Sequence, residues 1–141
     1  MHITKLPCYC ATLRQAARAL TSLYDELLRD TGLRITQFTL LQALSLAPGA
    51  RITDLVDVLA MDQTTLTRTL AALQANGWVQ VADRPSGREK CWELTDEGAQ
   101  LFENAQPAWE HAQKLVQKQF GKNRIASVHH EVFDLAEAIA A

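Results

Sequence analysis

The stretch from Asp62 to Leu94 constrains the fold of this chain more than any other. It opens on an aspartate suited to cap a helix, continues as QTTLTRTLAALQA, and stops at Asn76-Gly77, where glycine fits the position just past a helix C-cap. At about 100° per residue, Leu66, Leu70 and Leu73 share one face of that helix. Thr64 and Arg68 then point away from the leucines, with Thr65 and Thr67 on the flanks. Beyond the stop, two short segments rich in Val and Trp bracket a Pro-Ser-Gly turn, with Arg84, Arg88 and Lys90 gathered near it. This pattern predicts a β-hairpin with a basic tip.

The flanks read as helices. Pro7 suits a first helical turn, and Leu13, Ala16, Leu20, Tyr24 and Leu27 recur at three- and four-residue spacing, predicting a long helix that ends near Thr31-Gly32. Thr36 is an expected N-cap for a second helix carrying Phe38, Leu41, Leu44 and Leu46, closed by Pro48-Gly49. A third, short helix is expected after Thr53, with Leu55, Val56 and Leu59 as its apolar side. Thr95 reads as a further N-cap, followed by Asp96 and Glu97 where negative charge suits the helix dipole. The apolar period then runs from Leu101 to Phe120 and Gly121, with Pro107 inside it predicting a kink or a break. A last helix holds Ile125, Val128, Val132, Leu135 and Ile139.

The expected class is mainly α with a small β-hairpin wing, and 141 residues suit one domain, 1–141. Within it, 33–95 reads as a winged helix-turn-helix lobe, and 1–32 with 96–141 as a helical dimerisation region, because a bare winged helix has no use for so many apolar faces. Fourteen Lys and Arg against sixteen Asp and Glu give a net charge of -2, so nucleic-acid binding has to come from a local basic surface. No apolar run reaches the roughly 18 to 20 residues of a membrane span, and the start MHITKLPCYC has no secretory pattern, so a soluble, cytoplasmic protein is expected. There is no phosphate-binding glycine loop, nucleophile elbow or paired catalytic carboxylates, which argues against an enzyme and against a cofactor.

A short helix bracing a second one, whose polar face is flanked by a basic wing, is the arrangement that reads double-stranded DNA. Gln63 and the threonine hydroxyls can bond phosphates or base edges, and Arg68, Arg84, Arg88 and Lys90 can supply charge. On an arbitrary helix such a face is a solvated surface; the preceding helix and the wing shift the reading to DNA contact. Two such helices in a two-fold dimer would sit about one DNA turn apart, ~34 to 36 Å, on a pseudo-palindromic site. A winged-helix module used only for protein contacts, and a small ligand-binding or redox enzyme, stay open as alternatives.

The segments YDELLRDTGLRITQFTLLQAL, ITDLVDVLAMDQTTLTRTLAALQANGWV and REKCWELTDEG, in this order and spacing, resemble the MarR family of bacterial transcriptional regulators over nearly the whole chain. The resemblance implies an obligate homodimer of triangular outline with interlocked terminal helices, and repression relieved by a small-molecule effector or by cysteine oxidation. It places Gln63, Thr64, Thr65, Thr67 and Arg68 on the family's recognition helix and Arg88 on its wing arginine. One departure is plain: the wing aspartate usual before the arginine pair is replaced here by Pro85, Ser86 and Gly87.

Three cysteines give no basis for a disulfide framework. Cys8-Tyr9 resembles the early cysteine followed by an aromatic in the family's organic hydroperoxide repressors, which makes Cys8, and after it Cys10, candidate redox sensors. On a regular helix the two would diverge by about 200°, so they would neither bridge easily nor share a metal. The competing reading is that both are small apolar residues in an interface. Cys91, beside Trp92, reads as packing, and His111, His129 and His130 have no metal-ligand spacing, so no metal is expected.

Overall fold

A computed structural model of the chain describes residues 2–83 and 89–140. In chain order it contains α1 (Tyr9–Leu28), a 3-10 turn (Arg29–Thr31), α2 (Ile35–Leu46), β1 (Ala50–Arg51), α3 (Ile52–Leu59), α4 (Gln63–Ala75), β2 (Val79–Val81), β3 (Cys91–Leu94), α5 (Asp96–Phe120) and α6 (Lys122–Ala140). Among the described residues no helix is long and apolar enough to cross a membrane.

Three helix starts differ from the sequence expectation. Cys8, not Pro7, borders α1: it is the N-cap, and its Sγ accepts the Ala11 N–H at 3.4 Å. Thr36 and Thr53 lie inside α2 and α3, whose N-caps are Arg34 and Arg51. Here the capping acceptors come from downstream: Gln37 Oε1 accepts the Arg34 N–H at 3.0 Å, and Asp54 Oδ2 accepts the Arg51 N–H at 3.1 Å. For α2 a tertiary contact adds to this, since Asp25 Oδ1 on α1 accepts the Ile35 N–H at 2.7 Å. Pro107 neither splits nor ends α5, which runs unbroken over 25 residues.

The core forms around α2. Phe38, Leu40, Leu41 and Leu44 are all buried, so α2 is apolar over most of its circumference and serves as the central post rather than an amphipathic surface helix. Leu55 of α3, the three leucines of α4, Val79 and Trp92 close on it from the wing side. Ala105 and the partly buried Phe102 and Trp109 close from α5, with the Phe38 ring 5.1 Å from that of Phe102 and 5.8 Å from that of Trp109. Each fully buried leucine contributes about 1.5–3 kcal/mol by removal from water.

The sheet has three antiparallel strands in the order β1-β3-β2, so the expected two-stranded hairpin gains a third strand at its inner edge. Ala50 pairs with Trp92 and Arg51 with Cys91, while Val79 pairs with Leu94 and Val81 with Trp92. Two residues are too few for a strand pattern in sequence, and β1 exists because β3 offers it a ladder.

The terminal helices differ from this core in leaving apolar side chains exposed. No residue of α6 is buried, and Val128, Val132, Phe133, Leu135 and Ile139 are exposed, as are Ile3, Leu6, Leu13 and Leu20 at the other end.

Candidate nucleic-acid interface

The turn between α3 and α4 brings Ala60 into the left-handed region at φ 52°, a conformation that costs a residue with a Cβ about 1–2 kcal/mol. Two residues later Asp62 caps α4: its Oδ1 accepts the Thr65 N–H at 2.7 Å and its Oδ2 accepts the Thr65 hydroxyl at 3.1 Å. The Thr65 N–H and O–H, with the Arg68 charge as a smaller contribution, hold the Asp62 carboxyl below its ordinary value of 3.8. At the other end Gly77 takes φ 80° and closes the helix.

Leu66, Leu70 and Leu73 are buried, which fixes how α4 is rotated about its axis. Gln63, Thr64, Thr65, Thr67 and Arg68 are consequently all exposed. Arg68 enters none of the ion pairs among the described residues, so its five donors are available to a partner. Thr65 differs from its neighbours, because its hydroxyl is already engaged by the cap.

Of the expected wing residues, Arg84 and Arg88 lie outside the described residues, and Lys90 is exposed next to β3. A charged cluster that sequence reading missed sits beside it. Arg51 Nε and Nη2 contact Asp54 at 3.2 and 3.3 Å, and Arg51 Nη1 lies 3.8 Å from Glu89. Hydrogen bonds from Arg51 hold the Asp54 carboxyl below its ordinary range. No local signal could pair Arg51 with Glu89, 38 positions on; the β1–β3 ladder does it.

Cys8 and Cys10 are exposed and Cys91 is buried. Because Cys8 is the N-cap with extended backbone, the regular-helix geometry expected of the Cys8–Cys10 pair does not hold. Cys10 Sγ is 3.9 Å from the Arg14 Nη2. His130 Nε2 is 3.2 Å from Asp134, and no group of three or more metal-binding side chains occurs among the described residues.

A three-stranded wing beside a braced, polar-faced helix defines the class: a winged helix-turn-helix protein. A MarR-family model matches residues 31–89, from the end of the 3-10 turn to the residue two before β3. The chain is 34% identical to the M. tuberculosis transcriptional regulator MosR, solved in complex with DNA, with a TM-score of 0.80 over 95% of this chain and 99% of that one. It is 31% identical over 91 residues to the HTH-type transcriptional regulator YwoH of Bacillus subtilis, covering 64% of this chain and 66% of that protein's length. Apo MarR from E. coli, at 22% identity and TM-score 0.75 over 93% of this chain and 98% of that one, shares the fold. The chain belongs to the MarR family of winged helix-turn-helix, DNA-binding transcriptional regulators.

Proposed function

We propose that this protein is a homodimeric repressor that reads a pseudo-palindromic operator through α4 and its wing. The observation that carries the reading is the outward set Gln63, Thr64, Thr67 and Arg68, opposite a buried leucine stripe on a helix capped at both ends. Arg68 supplies a guanidinium for a guanine edge or a phosphate, and Gln63 and Thr64 sit at the helix N-terminus, where the dipole favours phosphate. Thr65 contributes by fixing the cap as much as by contact. Arg84, Arg88 and Lys90 would add phosphate or minor-groove contacts from the wing. The similarity to DNA-bound MosR supports this reading.

Dimerisation would cover the apolar side chains that α1 and α6 leave exposed, and would set the separation of two α4 helices. Residues 1–32 and 96–141 would form that layer and 33–95 the DNA lobe. Sedimentation at micromolar concentration tests it: a dimer is expected, and a monomer would contradict it.

Release would follow binding of a small-molecule effector or oxidation of Cys8, either acting only as far as it favours one separation of the two α4 helices over the other. The exposed N-cap position of Cys8 supports the second route. A hydroperoxide would convert the thiol to a sulfenic acid, one oxygen passing to sulfur and the alcohol leaving, and the altered sulfur would no longer suit the cap. The reading as a whole is tested by binding to the duplex upstream of the protein's own gene against a scrambled duplex.

A further inference from the structure

We propose that Arg51 is a wing-positioning residue for DNA binding, acting through Glu89. The inference rests on the reading that the wing contacts DNA, and it adds a residue pair that lies off both α4 and the wing tip. The guanidinium is held on two sides. Its Nε and Nη2 are fixed by Asp54 in the first turn of α3, which leaves Nη1 directed to Glu89 at 3.8 Å. Arg51 itself is anchored in β1 opposite Cys91, so one side chain joins α3, the inner strand and the residue that follows Arg88.

Glu89 is otherwise hard to place. A carboxylate between Arg88 and Lys90 opposes phosphate, and a surface that binds DNA gains nothing from it as a free charge. Paired with Arg51 it is neutralised, and it ties the segment entering β3 to β1 and α3, which would hold the wing in one setting relative to α4. Arg51 in turn is balanced by two carboxylates and has little charge left to offer DNA directly. With side chains 53% and 43% exposed, the pair lies in a screened setting, so the effect is modest: about two- to five-fold in affinity.

The two roles for Glu89 predict opposite signs. The test is anisotropy of a fluorescein-labelled duplex from upstream of the gene, at fixed salt, with wild type, Glu89→Gln, Arg88→Ala and the double variant, each checked for an unchanged thermal midpoint. Glu89→Gln should weaken binding about two- to five-fold, and the loss should vanish in the Arg88→Ala background because it acts through the wing. Unchanged or tighter binding by Glu89→Gln, or a loss that adds in full to that of Arg88→Ala, would overturn the proposal. Arg88→Ala without effect would remove Arg88 from the DNA contacts and overturn a positioning role exerted through it, while leaving α4 binding intact.

Discussion

The Thr95 hydroxyl donates a hydrogen bond to the carbonyl of Gly77 at 2.6 Å, tying the N-cap of α5 to the residue that ends α4. The same oxygen accepts the Gly98 N–H at 3.0 Å, and the Thr95 N–H donates to the Trp78 carbonyl at 3.1 Å. The end of α4 and the start of α5 are therefore joined by two hydrogen bonds at one residue, and any shift of α5 reaches the C-terminal end of α4 directly. Thr95→Val removes both hydroxyl bonds and is expected to lower stability by about 1–3 kcal/mol in urea unfolding, with Thr95→Ser recovering most of it. Equal stability of Thr95→Val and wild type would show the junction to be incidental.

Gly98 sits at the tightest approach in that junction. A Cβ there would lie 1.9 Å from the Trp78 carbonyl oxygen, and the obstacle is backbone, which cannot swing aside. Gly98→Ala is expected to destabilise by about 1–3 kcal/mol or more despite the better helix propensity of alanine. Thermal unfolding checks this, and a stabilised variant would mean that α5 can move off β2 without loss.

The cap of α4 gives a pH dependence. The Asp62 carboxyl is held below its ordinary value, so its contribution to stability is present above the unfolded value of 3.8 and is lost as pH falls through the lower folded one. Asp62→Asn keeps an acceptor but no charge. Wild type should be the more stable at pH 6, with the difference shrinking below pH ~4, as read from thermal midpoints across a pH series. A pH-independent gap would assign the capping to geometry alone.

How far sequence carried the account depends on where each signal lies. Asp62, Gly77 and Thr95 were legible because each cap is local, a side chain or a φ sign serving its own helix end. The exposed set on α4 was legible because three leucines at helical spacing fix its rotation. The starts of α2 and α3 were not, since their capping acceptors come from Gln37, Asp54 and, across the fold, Asp25, which draw each helix back past the threonines that looked like caps. β1 and the Arg51–Glu89 contact were hidden for a similar reason: both follow from strand pairing between segments about 40 residues apart, which no local pattern encodes. Of the two outcomes expected at Pro107, a break is ruled out, since α5 continues through it with Ala105 and Trp109 packed on the core to either side.

The thiol route to release makes its own prediction. Wild type bound to its operator should dissociate on addition of a stoichiometric organic hydroperoxide and rebind with reductant, whereas Cys8→Ser should stay bound. Equal release of both proteins would exclude Cys8 as the trigger and pass the role to another oxidisable side chain, the exposed Cys10 first, whereas release of neither would leave a small-molecule effector as the route.

The most direct test of the central claim is fluorescence-anisotropy binding at constant salt, comparing wild type and Arg68→Ala on the upstream duplex and on a scrambled duplex of equal length. Wild type is expected to prefer the upstream duplex clearly, and Arg68→Ala to lose about 1–3 kcal/mol in that binding, with the preference reduced. Equal affinity of Arg68→Ala and wild type for the upstream duplex would contradict the assignment of α4 as the DNA-reading helix.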